Sequence, residues 1–412
     1  MRSTRLVRAA LLLALLAACT SAARTTDRGP IRIGALYPMS GVLDRYGTEE
    51  LRGVQIAVEL FNARGGLDGR AIELVTADAP DIDTGWREAH RLANAGVPVI
   101  IGSYSSTLSL AASEAAHREG ILYWETGAVA DLVTGRGYDE VFRMGPSGGV
   151  LSAQAAGFAT EVLAPHFKIA TKDLTVAVVY ENDPYGSSIG TGIKREADAR
   201  GFRLVGSFPY DPATEEFHRI LASLAKLEPD IVVAASYLHD GARFRERLIA
   251  SGLKIKALIG KCAAFYTAEM ADLLGPKIDG IFVSDKPMDP SPTALTAEGN
   301  ALAGELRTRY LHRYAGAPEA AAYMGFSGAW ALLAHALPNA RSLSPADIAA
   351  AARAIDIPDG SLPNGAGIRF AARGTAEAGQ NLRAFGVVWQ WQDGKPVLVW
   401  PPAAARGAPR YS

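Results

Sequence analysis

Two stretches of this sequence hold residue types and spacings that could do chemistry. In the first, VPVIIGSYSSTLSLAAS from Val97 to Ser113, the apolar residues Val97, Val99, Ile100 and Ile101 give way at Gly102 to Ser103, Ser105, Ser106 and Thr107. The apolar run reads as a strand buried on both faces, and the hydroxyls stand where the next helix must begin. A helix start has N–H groups that no carbonyl one turn back can accept, and a partial positive charge. Hydroxyls gathered there can hold a carboxylate or a small polar ligand without lysine or arginine. A single serine would do no more than cap the helix; a cluster allows both roles. The second stretch, Gly145, Pro146, Ser147, Gly148 and Gly149, matches G-x-S-x-G, the spacing that presents a nucleophilic serine on a strand-to-helix turn. The match carries little weight in a chain with 42 glycines, and a proline directly before the serine suits that turn poorly. None of His239, His312 and His335 stands in a loop that would mark it as the base, so hydrolysis through Ser147 remains a minor alternative.

Other chemistries have less support. No G-x-G-x-x-G follows a predicted strand and no Walker loop is present, so no nucleotide cofactor is expected. The histidines and cysteines lack metal-ligand spacing, and Cys262 reads as a small buried hydrophobe. With a net charge of -1 and no basic cluster, a nucleic-acid partner is not expected. Tyr46, Ser106, Ala128, Tyr185 and Tyr237 all follow predicted strands, and in open α/β sheets ligands bind beyond the carboxyl ends of strands.

The elements that would carry these residues alternate. From Ile31 onward, strand-like and helix-like segments succeed one another every 25 to 30 residues or so, as in repeated βαβ units. Strands are predicted at Ile31–Tyr37, Ala71–Thr76, Val99–Gly102 and Ile121–Trp124, with helices at Leu51–Arg64 and Thr84–Ala95. After an extended segment at Glu140–Met144 and a turn at Gly145–Gly149 the pattern restarts, with strands at Leu174–Tyr180, Phe202–Ser207, Ile231–Ala235 and Ala257–Ile259. A mainly helical block follows Ile281–Ser284, and extended segments close the chain. The 412 residues suffice for two or three domains.

The beginning of the chain has a different character. Arg2, Arg5 and Arg8 precede the apolar run Ala9–Leu16, too short to span a membrane, which reads as a signal peptide. Leu16, Ala17, Ala18 and Cys19 then resemble the lipobox of bacterial lipoproteins, in which the cysteine is lipidated. Residues 20–30 read as a flexible tether. With Cys19 so used, Cys262 is left without a disulfide partner. No second apolar run is expected to reach a membrane span.

Taken together, IGALYPMSGVLDRYGTEELRGVQIAVELFNARGG, VIIGSYSSTLSLAAS, GILYWETGAVADLVTGRGYDEVFR, VAVVYENDPYGSSIG and QNLRAFGVVWQWQDGKPVLVWP resemble, in order, the type I periplasmic solute-binding proteins of the branched-chain amino acid and amide group, which serve ABC importers. The resemblance implies an α/β fold of two Rossmann-like lobes joined by three crossing segments, near Phe142–Pro146, Phe282–Asp285 and Gly365–Ile368, which close over a ligand. Residues 31–145 and 285–365 would form one lobe and residues 146–284 and 366–401 the other, with 402–412 as a tail. Ser147 would then leave a hinge and not act as a nucleophile, and the protein would not be an enzyme.

The resemblance also implies ligand-binding residues. Ser106 and neighbouring N–H groups would hold a carboxylate, with Ser105 beside it and help from the small residues Gly127 and Ala128. Tyr46, Tyr185, Tyr237 and Tyr323 would pack the side chain. Where the family places a threonine and an acid for the ammonium, this sequence has Val129 and Cys262. A buried ammonium without a carboxylate would cost several kcal/mol. Glu125 could supply the negative charge, whereas Lys261 would favour an anion, so an amino acid, an amide, a urea-like compound and a small carboxylate all remain open. The partners implied are a small-molecule ligand, ABC permease subunits and a membrane reached through the N-terminal lipid. The location implied is outside the cytoplasm. A binding protein that reports to a membrane receptor would share the same lobes.

Overall fold

In the computed structural model, which describes residues 29–214, 216–261 and 264–411, the apolar runs form the centres of two sheets. The first has five parallel strands in the order β2-β1-β3-β4-β5: β1 (Ile31–Tyr37), β2 (Ile72–Asp78), β3 (Val99–Gly102), β4 (Leu122–Glu125) and β5 (Val141–Arg143). Between them run helices α1 (Asp44–Ala63), α2 (Ile82–Asn94) and α3 (Ser106–Arg118). Side chains alternate across this sheet. Ile33, Ala35, Tyr37, Val99, Ile101, Leu122 and Trp124 enter one core, whereas Leu36, Ile100 and Tyr123 enter another with residues of α2 and α3. Burial on both faces is why these strands lack polar alternation.

The second sheet has seven strands. After α4 (Gly148–Phe158) come β6 (Thr175–Glu181), α5 (Pro184–Arg200), β7 (Arg203–Tyr210), α6 (Phe217–Leu227), β8 (Ile231–Ala235), α7 (Leu238–Ala250), β9 (Ala257–Lys261), α8 (Ala268–Leu274) and β10 (Phe282–Asp285). The chain then returns to the first sheet through α9 (Ala297–Arg313), α10 (Ala320–Trp330) and α11 (Pro345–Arg353), which pack into the core shared with α1. A small antiparallel pair, β11 (Asp356–Ile357) and β12 (Ile368–Arg369), follows. Finally β13 (Val387–Gln392) and β14 (Lys395–Trp400) join the second sheet antiparallel, giving the order β14-β13-β10-β9-β8-β6-β7. The chain therefore passes between the sheets three times. The third passage lies after β12, later than the Gly365–Ile368 expected, because Ile368 and Arg369 are still paired with β11.

Two of the passages are bonded together. Arg143 N–H donates to the Gly379 carbonyl at 2.9 Å and Asn381 N–H to the Arg143 carbonyl at 2.9 Å. The Gln380 and Asn381 side-chain amides donate to the Gly145 and Met144 carbonyls. Beyond β14 the chain folds back along that strand. Arg406 and Gly407 N–H donate to the Leu398 carbonyl at 2.8 and 3.1 Å, and Tyr411 stacks on His166 with ring centroids 3.5 Å apart.

Three differences from the sequence reading have physical causes. Helix α1 begins at Asp44, a full two turns before Leu51, because its first turns bury Tyr46, Gly47, Glu49 and Glu50, which apolar periodicity does not register. The segment Ala320–Asn339 is long and apolar enough to cross a membrane, contrary to expectation, but 89% of its apolar 18-residue stretch is buried inside the fold, as in a core helix. Ser147 is the N-cap of α4, its Oγ accepting from Val150 N–H at 3.2 Å, which explains the serine without a nucleophilic role. The signal peptide, Cys19, most of the tether and Cys262 lie outside the described residues.

Helices α1 and α10 cross with backbones in close approach. A Cβ on Gly53 would lie 2.1 Å from the Ala322 carbonyl oxygen, and one on Gly325 would lie 2.0 Å from that of Glu50. Both obstacles are backbone and cannot rotate away. Gly325→Ala is expected to destabilise the fold by about 1–3 kcal/mol through overpacking, measured by urea unfolding; an unchanged midpoint would show that the helices separate freely.

Candidate functional site

The two sheets turn their carboxyl ends toward each other, and the loops that follow the strands meet between them. An inner chamber of ≈ 10 Å³, room for about one water, is lined by Tyr104, Ser106, Gly127 and Val129 from the first sheet and Tyr185, Tyr237 and Lys286 from the second. It adjoins an outer cleft of ≈ 680 Å³, whose walls include Leu43, Tyr46, Ser105, Leu108, Asp183 and Tyr237. Tyr237 belongs to both.

One buried carboxylate shapes the first wall. Glu125, at the end of β4 and fully buried, accepts from Ser103 N–H at 3.0 Å, from Gly127 and Ala128 N–H at 2.7 Å each, from the Tyr123 hydroxyl at 3.2 Å and from the Ser109 hydroxyl. Burial holds its pKa above the usual carboxylate value, although bonds from Ser109, Ala128, Gly127 and Ser103 pull it down. Glu125 is therefore bonded to its own loops, and the Gly127 and Ala128 N–H groups are spent on it, while Gly127 still lines the chamber. Ala128 moreover packs into the core beneath α3.

Ser106 is differently placed. Its Oγ accepts from Val129 N–H at 3.3 Å and Ala130 N–H at 3.0 Å, so toward anything else the hydroxyl acts as a donor. Ser105 caps α3 by accepting from Leu108 N–H at 3.4 Å, and Ser103 is buried against Ser109. Of the hydroxyl cluster, only Ser106 lines the inner chamber, while Ser105 and Thr107 line the outer cleft. Tyr104, between them, sits in the left-handed region at φ 79°, a strained conformation for a residue with a side chain. Its ring lies parallel to that of Tyr46, with centroids 5.1 Å apart.

The second wall is aromatic and acidic. Tyr185 and Tyr237 meet edge to face at 5.5 Å, and the Tyr237 hydroxyl donates to Asp183 Oδ2 at 3.3 Å. Burial, offset by the Gly186 N–H and the Tyr237 hydroxyl, leaves Asp183 with a pKa of about 6. Burial, reinforced by Asp240, Asp183 and Asp211, pushes Glu181 to about 8. Lys286, just after β10 and 3% exposed, holds its Nζ 5.2 Å from the Tyr104 ring centroid.

Contacts across the gap show the two sides closed on each other. Tyr46, Tyr104 and Val129 pack into the core of the seven-stranded sheet. Asp131 N–H donates to the Ser188 hydroxyl at 3.1 Å, Gly148 N–H to the Val129 carbonyl at 2.6 Å, and the Tyr104 and Tyr266 hydroxyls lie 3.4 Å apart. At the rim, Arg45 on α1 pairs with Glu269 on α8 at 2.9 Å and with Glu319 at 2.7 Å.

Ser106, Gly127, Val129, Tyr185 and Tyr237 thus come together in one chamber, with Tyr46 and Ser105 beside it. Tyr323 does not join them. It lies in the core between α1 and α10, its hydroxyl 3.4 Å from Asp289 Oδ1, because the buried face of α10 turns it away from the gap. Lys261 is also elsewhere, fully buried, with its Nζ donating to the Leu151 carbonyl at 2.7 Å and the Ser284 hydroxyl at 3.1 Å. Tyr104 and Lys286 were missed. Tyr104 stands inside the serine run and was legible as an aromatic at a strand end, whereas Lys286, ahead of a proline-rich loop, left no local signal. No group of three or more His, Cys, Asp or Glu among the described residues is arranged to hold a metal.

The periplasmic binding protein family matches residues 30–395. The Leu/Ile/Val-binding protein homolog 8 of Brucella suis biovar 1 (strain 1330) is 33% identical over 399 residues, covering 96% of both chains. The homolog 7 of Brucella abortus (strain 2308) is 32% identical over 396 residues, covering 96% of this chain and 97% of its own. Among solved structures, the branched-chain amino acid transporter substrate-binding protein LivJ from Streptococcus pneumoniae, in complex with isoleucine, superposes with a TM-score of 0.74 at 20% identity, covering 90% of this chain and all (100%) of that one. A solute-binding protein of an ABC transporter from R. palustris, in complex with benzoate, gives 0.73 at 23% identity, covering 92% and 98%.

Glu50 supplies a test of the site's electrostatics. It is fully buried behind Gly127, where a Cβ would lie 2.1 Å from its Oε2, and neither carboxylate oxygen has a hydrogen-bond partner. Burial and the adjacent Glu125 raise its pKa to about 8 from 4.5, against Thr126 and Lys286, which favour the ion. Between those values the folded chain binds more protons than the unfolded chain, so this group's contribution to stability falls as pH rises. Glu50→Gln keeps the neutral shape and is expected to melt close to the parent at pH 5 and to gain on the order of 2 kcal/mol at pH 8. A difference that stays constant between the two pH values would refute the assignment.

Proposed function

Because the chain belongs to the periplasmic binding protein family, we propose that it is the extracytoplasmic solute-binding component of an ABC importer. It takes up a small solute bearing a carboxylate between its two sides and presents it to membrane permease subunits. The observation that carries this reading is the inner chamber itself, which draws Ser106, Gly127 and Val129 from one sheet and Tyr185, Tyr237 and Lys286 from the other. Only a ligand that touches both sides can favour the closed state over the open one, and a chamber built from both sheets meets that condition. The single passages of chain between the sheets would act as hinges. The tyrosines supply apolar area and Ser106 a donor, the combination expected of a pocket for a small amphipathic solute.

The chamber as it stands holds about one water, so a solute enters as the sides part and the tyrosine rings move off one another. The acidic outer cleft, with Glu181, Asp183 and Asp240, forms the approach. Anchoring by lipid at Cys19, after removal of the signal peptide, would keep the protein near its permease. The chain's roles in this reading are capture and delivery, without covalent chemistry, and Ser147 remains a helix cap.

Two outcomes are expected. A cognate solute at a hundredfold excess over its Kd should stabilise the mature chain by about 2.7 kcal/mol, visible in a thermal melt against a library of amino acids, amides and small carboxylates. Ser106→Ala and Tyr237→Ala should each weaken that solute by roughly 10- to 100-fold with the circular dichroism spectrum retained, and unchanged affinity in both would remove the chamber from consideration. Separately, Cys19→Ser in the full chain should move the protein from the membrane fraction to the soluble extracytoplasmic fraction; retention on the membrane would exclude lipid anchoring.

A further inference from the structure

The rim of the cleft holds charges that take no part in lining the inner chamber. Arg45, in the first turn of α1, faces two carboxylates: its Nη2 lies 2.7 Å from Glu319 Oε1 and its Nε 2.9 Å from Glu269 Oε2. A guanidinium has donors enough for both. Glu319 belongs to the same side as Arg45, at the start of α10, whereas Glu269 stands in the first turn of α8 on the other side. The contact with Glu269 therefore spans the gap, and Glu319 aims it. Glu319 is itself fixed, since its N–H donates to Glu49 Oε1 at 3.0 Å, and Glu49 is held by the Tyr310 hydroxyl and by Arg52. Across the gap, Thr267 caps α8 by accepting from Met270 N–H at 3.3 Å, and Met270 is fully buried. Both ends of the pair are held in place before they meet.

Two features separate this contact from an incidental surface pair, which contributes little. Arg45 Nε and Glu269 Oε2 are shut off from water although their side chains reach the surface, and they are not aligned as a hydrogen bond, so what draws them together is charge. Burial lowers the pKa of Arg45, but Glu319 and Glu269 more than offset it, and the guanidinium stays charged. The second feature is place. Asp44, Arg45 and Glu269 line both the outer cleft and a further cavity of ≈ 890 Å³, whose walls include Thr48, Met288 and Trp391. The pair stands between the two spaces, and its parting joins them.

We propose that Arg45 and Glu269 form an electrostatic latch that draws the two sides together independently of any solute, with Glu319 as the residue that positions Arg45. Such a latch gives the closed conformation a share of the population before capture. A solute that binds this conformation then binds more tightly in proportion to that share, and it leaves more slowly because the pair must part before the sides do. The latch rests on the contacts across the gap alone, whereas its consequence for capture rests on the reading of the cleft as a solute site.

The test is single-molecule energy transfer between dyes attached at Leu311→Cys on α9 and Ile249→Cys on α7, exposed positions on opposite sides, in the mature chain lacking Cys19 and carrying Cys262→Ser. At an ionic strength of about 0.01 M and without added solute, Arg45→Met and Glu269→Gln are each expected to lower the closed-to-open ratio roughly two- to fivefold, with no lower ratio in the double variant. Glu319→Gln is expected to lower it only where Arg45 is present. At about 1 M salt, where the screening length is about 3 Å, the gap between parent and variants is expected to narrow. The ratio counts folded molecules alone, so a fraction of a variant that fails to fold does not enter it. A ratio that neither single variant changes, effects that add in the double variant, or a gap that salt leaves intact would overturn the latch. Amino acids, amides and small carboxylates at millimolar concentration, added to the parent, address the cleft separately. A compound that enlarges the closed population and leaves Arg45→Met roughly two- to fivefold faster supports both readings; a closed population that none of them enlarges would remove the solute reading and leave the latch standing.

Discussion

The gathering of five donors on the buried carboxyl of Glu125 is the constraint on which the first wall of the cleft depends. The loops after β3 and β4 have no regular structure of their own, yet one must present Tyr104 and Ser106 and the other Gly127 and Val129. Glu125 takes N–H groups from both, together with the hydroxyls of Ser109 on α3 and Tyr123 on β4. It therefore fixes two loops and the start of a helix against one strand end. A carboxylate is the acceptor that can do this, since it offers two oxygens and about four lone pairs and bonds to it are stronger than those between neutral groups. Loss of the carboxylate would leave several buried N–H groups without an acceptor at once, and the loops would lose their common anchor.

That internal use of charge sets the character of the site. The strand-end loops spend the N–H groups of Gly127 and Ala128 on Glu125 and those of Val129 and Ala130 on Ser106. The same economy appears on the other wall, where Asp183 and Asp240 cap helices α5 and α7 and bond tyrosines before they face the cleft. The polar groups that remain pointed inward are few, and their chemistry is correspondingly narrow. Around them the rings of Tyr104, Tyr185 and Tyr237 make up much of the described lining.

Much of the fold was legible in the sequence because both sheets consist of strands buried on both faces. Runs such as VPVIIG and LTVAVVY carry no polar alternation, and glycines and capping residues mark their ends, so β1, β3, β6 and β8 appear where the pattern puts them. The start of α1 was not legible, since its first turns bury glutamates and a tyrosine whose hydrogen bonds lie across the chain. The site divides in the same way. Ser106, Tyr185 and Tyr237 follow strands closely enough for topology to place them. Lys286 was hidden because it reaches the chamber from a passage between the sheets, where neither periodicity nor spacing says which way a side chain turns. Glu125 was visible as a residue near the cleft, but its role depends on which N–H groups fold back onto it, and that is a property of loop conformation.

The chain's return along β14 has a consequence of another kind. A strand at the margin of a sheet offers a row of unpaired N–H and C=O groups to any other strand that comes near, and β14, with Val397, Leu398, Val399 and Trp400, is apolar enough to be attractive. Arg406 and Gly407 occupy the carbonyl of Leu398, and the amides of Gln390 and Gln392 hold the carbonyls of Arg410 and Ala408. The last described residues therefore act as a selvedge, the finished border of a woven edge: a segment that is not itself a strand lies against β14 and takes up the Leu398 carbonyl that a further strand would otherwise use.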